Sequence, residues 1–137
     1  MVREKAELSN LSRIRHNVVG IIEKLGVKLD QAAKDDVMLA VGEAVANIIL
    51  HGECSEIGLA VAVLSDSVIV TLEAECYSDP DEVRSWFGRE SDLSIESGRG
   101  DEIVMALCGV DFHKGSIDLV FSLASKVRLA EPEMAMA

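Results

Sequence analysis

The segments EIGLAVAVL and VIVTLEAEC are rich in β-branched residues, and only Ser65, Asp66 and Ser67 lie between them. So short a link forces two strands to pair antiparallel, because a parallel pair needs a crossover of a dozen residues or more. The stretch therefore reads as a β-hairpin. VDFHKGSIDLVFSLAS reads as a second one, turning near Lys114 and Gly115. A sheet assembled from hairpins is mostly antiparallel, and at least one of its faces must be covered.

Two segments upstream supply the cover. In LSNLSRIRHNVVGIIEKLG, Leu11, Ile14, Val18, Ile21, Ile22 and Leu25 recur at helical spacing. Gly26 follows as a C-terminal cap, and Ser9, Asn10 or Ser12 is the expected N-cap. After VKLDQAAKDD, with Asp30 a candidate cap, a second helix runs to Gly52. Its core stripe is Val37, Val41, Ala44, Val45 and Ile48. Farther on, DPDEVRSWFG has Asp79 as cap, Pro80 in the first turn and Gly88 as stop, and reads as a short helix. RESDLSIESGRG reads as a loop and DEIVMALCG as another short helix. The expected fold class is α+β, a two-layer sandwich whose mostly antiparallel mixed sheet carries helices on one face. Residues 1–130 would form a single domain, and 131–137 a frayed tail.

Composition narrows the function classes. The chain has 137 residues, the size of one domain, and is 49% apolar but only 4% aromatic, so its core must be aliphatic. Its formal net charge is -11 with no basic cluster, which disfavours nucleic acid and anionic membranes as partners. Cys54, Cys76 and Cys108 are odd in number and widely spaced, as expected of free thiols rather than a disulfide framework or a zinc site. The charged N-terminus MVREKAELSN lacks the apolar region of a signal peptide, and a cytoplasmic location is expected.

Within GEAVANIILHG, the polar residues Glu43, Asn47 and His51 stand four apart and so share one helix face. An Asn amide oxygen is a neutral hard ligand suited to Mg²⁺, and a carboxylate one turn away can take a proton from an attacking group. By spacing alone the row also fits a solvated helix edge. In SGRGDEIVMAL, Gly98 and Gly100 flank Arg99 at a helix start, where backbone N–H groups can approach an anion. A plain glycine turn fits equally, and Asp101 and Glu102 would repel a phosphate placed there. His16 is expected on the surface of the first helix and His113 at a solvated hairpin end. Trp86 and Phe87 would anchor the short helix or meet a partner. Met105 and Cys108 are expected in the core.

Taken together these segments resemble the GHKL ATP-binding fold of histidine kinases, gyrase and heat-shock chaperones. The likeness is nearest to the small bacterial anti-sigma-factor serine kinases of partner-switching pathways. LAVGEAVANIILHG resembles that family's N-box helix with its terminal His-Gly. SGRGDEIVMAL resembles its glycine-rich second box, and LSRIRHNVVGIIEKLGV its first helix. The resemblance implies Mg-ATP as cofactor, Glu43 as general base and Asn47 as the Mg²⁺ ligand. It places His51 near the nucleotide, with Gly98, Arg99 and Gly100 in a lid over the phosphates. It also implies a sigma factor and a small antagonist protein as partners, and a homodimer.

One box departs from the family pattern. Where the family has D-x-G-x-G, this chain reads LEAECYSDPDEV. Counting back from Asp79 and Pro80 puts Glu73 at the adenine-binding Asp position, with Glu75 and Tyr77 in place of both glycines. Asp101 likewise replaces an apolar residue after the second box. Two functions are therefore expected side by side: a serine/threonine kinase with an altered adenine end, or a binding module that retains the fold without the nucleotide.

Overall fold

A computed structural model describes residues 2–52, 54–74, 79–81, 107–122 and 127–129. Strand β1 (Val2–Lys5) leads through a 3₁₀ turn into helix α1 (Leu11–Lys24), followed by β2 (Val27–Leu29) and the long helix α2 (Gln31–Gly52). The strands β3 (Glu56–Val63), β4 (Ser67–Glu73), β5 (Gly109–His113), β6 (Ser116–Ser122) and β7 (Val127–Leu129) come after. Five of them form one sheet in the order β1-β3-β4-β6-β5, and β2 pairs with β7 separately. Every pairing among the described strands is antiparallel, so this part of the molecule is α+β without the mixed sheet expected.

Both hairpins turn where expected. Leu64 N–H donates to the Ser67 carbonyl at 2.8 Å, closing the β3–β4 turn over Ser65 and Asp66. Gly115 closes the β5–β6 turn at φ +89°, a conformation that glycine adopts without steric cost. Register then sorts the side chains. On β4 the buried residues are Val68, Val70 and Leu72, opposite Phe121, Leu119 and Ile117 of β6. The alternate residues, Ile69, Thr71 and Glu73, face the other way.

The inward set forms one core with Ile14, Val18 and Ile22 of α1 and Val37, Val41, Ala44, Val45 and Ile48 of α2. The α2 stripe is the expected one. On α1, Leu25 is half exposed and Val19 is buried instead, because the helix ends at Lys24 and the chain turns away at Gly26, φ +93°. Asp30 caps α2 as expected, its Oδ1 accepting from Ala33 N–H at 2.7 Å. Asn10 stands at the α1 N-cap position, but its side chain donates to the Lys5 carbonyl and makes no cap bond. Asp79 Oδ1 accepts from Asp81 N–H at 3.0 Å, as expected of a cap there.

Three strands were not foreseen. The charged VREK reads poorly as a strand, yet β1 seals the sheet edge by turning Glu4 inward, where Asn17 Nδ2 donates to it at 2.6 Å and Arg13 lies at 3.6 Å. The two three-residue strands β2 and β7 are too short to show a period. Cys108 is half-buried against the core rather than within it. The expected short helix through Trp86 and Phe87, the loop after it, Met105 and the tail 131–137 lie outside the described residues. Among the described residues no helix is long and apolar enough to cross a membrane.

Candidate functional site on helix α2

The row Glu43, Asn47 and His51 does not stay on one line. Four residues make slightly more than a turn, so each step rotates the row by about 40°. Glu43 is accordingly half-buried at the edge of the core stripe, and Asn47 is carried inward, where only 7% of it is exposed. His51 comes round toward the core azimuth but lies in the last turn, beyond the packed region, and is exposed. A basic group there interacts favourably with the helix C-terminus when protonated.

Asn47 is the anomaly in the core. Its Nδ2 is buried and has no hydrogen-bond partner among the described residues. An unsatisfied buried amide costs about 1–3 kcal/mol, so a residue retained purely for packing would be apolar here. A half-turn of the amide exchanges nitrogen for oxygen at the same place, which makes the group a donor or an acceptor on demand. Beside it, the flank of α2 that carries Glu43 also exposes Leu39 and Leu50, at 41% and 51%. By helical projection these two lie within about 40° of Glu43. The flank thus pairs apolar surface with a carboxylate and an orphaned amide.

Another flank of α2 is closed by α1. A Cβ built at Gly42 would lie 2.9 Å from Cδ of Arg15, so a side chain there would push the Arg15 stem aside. The Nε of Arg15 is likewise buried and has no partner among the described residues. Spacing arguments singled out neither Arg15 nor Gly42. The available signal was the glycine in a helix interior, where alanine would be the better helix former.

Glu73 goes elsewhere. It is an outward residue of β4, aligned with Gly58 of β3 and, beyond it, Arg3 of β1. Because Gly58 has no side chain, Arg3 reaches across it to Glu73 at 3.3 Å. Both groups line a shallow cleft of about 250 Å³ with Ser55 and Gly115. The sheet separates this cleft from α2, so the structure does not bring Glu73 together with Asn47. The residue after it, Ala74, is the buried one. Gly98, Arg99, Gly100 and Asp101, together with Glu75 and Tyr77, lie outside the described residues.

A polar network occupies the same outer sheet face. Asp118 accepts from Thr71 Oγ1 at 2.7 Å and lies 3.1 Å from His113 Nε2. His113, expected to be merely solvated, thus sits beside the Asp111–Asp118 cross-strand pair. His16 is exposed, as expected, its Nδ1 donating to the Ser12 carbonyl at 2.7 Å. Burial pushes the Cys108 thiol up to about 12, which keeps it protonated and unreactive at neutral pH. No group of three or more His, Cys, Asp or Glu side chains among the described residues could hold a metal ion. Comparison of the chain with protein-family models and with curated proteins finds no match to either.

Proposed function

We propose that the chain is a regulatory protein of the anti-sigma-factor kinase type, with the GHKL fold, and that the Glu43–Asn47 flank of α2 is its Mg-ATP site. The observation that supports this reading is the buried, partnerless amide of Asn47 one turn from a half-buried carboxylate. A buried amide without an internal partner is accounted for by an external one. Mg²⁺ fits once the amide is turned so that Oδ1 takes the place of Nδ2, since the ion is commonly held by one or two protein oxygens and otherwise by water and phosphate. Asn47 would hold the ion, and Glu43 would share the site. The ion, when bound, offsets the charge of the nucleotide phosphates. Glu43 would orient a serine or threonine hydroxyl of a small antagonist protein and accept its proton. A sigma factor or similar regulator is the second partner, and the chain would act as a homodimer in the cytoplasm.

The second reading is a nucleotide-independent module that sequesters a protein. It is supported by Glu73, which is engaged with Arg3 on the outer sheet face. The replacement of both family glycines by Glu75 and Tyr77 points the same way. Calorimetric titration with Mg²⁺ and a non-hydrolysable ATP analogue separates the two. Binding at about micromolar Kd that Asn47→Ala removes supports the kinase site. No heat at about millimolar ligand sinks it and leaves the sequestering module.

A further inference from the structure

We draw no further inference here: the strongest candidate, the apolar patch of Ala60, Ala62, Ile69 and Val120 on the outer face of the five-stranded sheet, carries no proposal because nothing in the structure shows what covers it.

Discussion

Replacing Asn47 by leucine should make the unliganded protein more stable. The side chain is 93% buried, and its Nδ2 has no partner among the described residues. Leucine has the same branching and removes the stranded amide, a cost of about 1–3 kcal/mol; against this stands some strain from its bulkier methyl groups. The net expectation is a gain of about 1–2 kcal/mol, which for a chain of this size raises Tm by roughly 4–8 °C. Ligand should invert the order. At a Mg-nucleotide concentration of about 100 Kd the wild type gains about 2.7 kcal/mol and Asn47→Leu gains nothing. Differential scanning calorimetry with and without the ATP analogue reads both effects. If Asn47→Leu is destabilised by about 1 kcal/mol or more without ligand, the amide has an internal partner and the reasoning from an orphaned group fails. If it is stabilised but the wild type shows no ligand shift, the anomaly is real and the nucleotide is the wrong ligand.

Other expectations follow from the packing. Gly42→Leu should cost about 2–3 kcal/mol in urea denaturation, because its Cβ alone meets Arg15 Cδ at 2.9 Å; combining it with Arg15→Ala should recover about 1 kcal/mol or more. Asp30→Ala removes the 2.7 Å cap bond of α2 and should cost about 1 kcal/mol, with little change for Asp30→Ser. Cys108 should resist alkylation in native protein at pH 8 and react on unfolding, as peptide mapping by mass spectrometry can show. Its folded pKa of about 12 lies above the unfolded 9.0, so the unfolded chain binds fewer protons between them. Stability should therefore fall as pH rises from about 9 to 12, and Cys108→Ala should flatten that slope.

Local signals carried much of the architecture. The β-branched runs with a turn of two residues between them specify hairpins, because pairing and turn geometry are both short-range properties. Helical spacing likewise foretold the buried stripe of α2, and Asp30 and Gly26 marked helix ends through their own backbone chemistry. The polar row on α2 was legible as a row. What it could not reveal was its burial gradient, since that depends on where the sheet and α1 meet the helix.

Tertiary structure decided the rest. Whether VREK is a strand depends on an open edge at β3 and on Asn17 and Arg13 to receive Glu4, contacts no window of the sequence contains. Glu73 was placed near adenine by counting residues, but the pleat turned it to the far face and Gly58 left room for Arg3 to meet it. A shift of one residue along a strand reverses the face, so counting alone cannot assign a strand side chain to a site. The orphaned amide of Asn47 became visible only once its surroundings were known. Sequence establishes which groups a chain carries and how they repeat; packing determines which of them are left without partners.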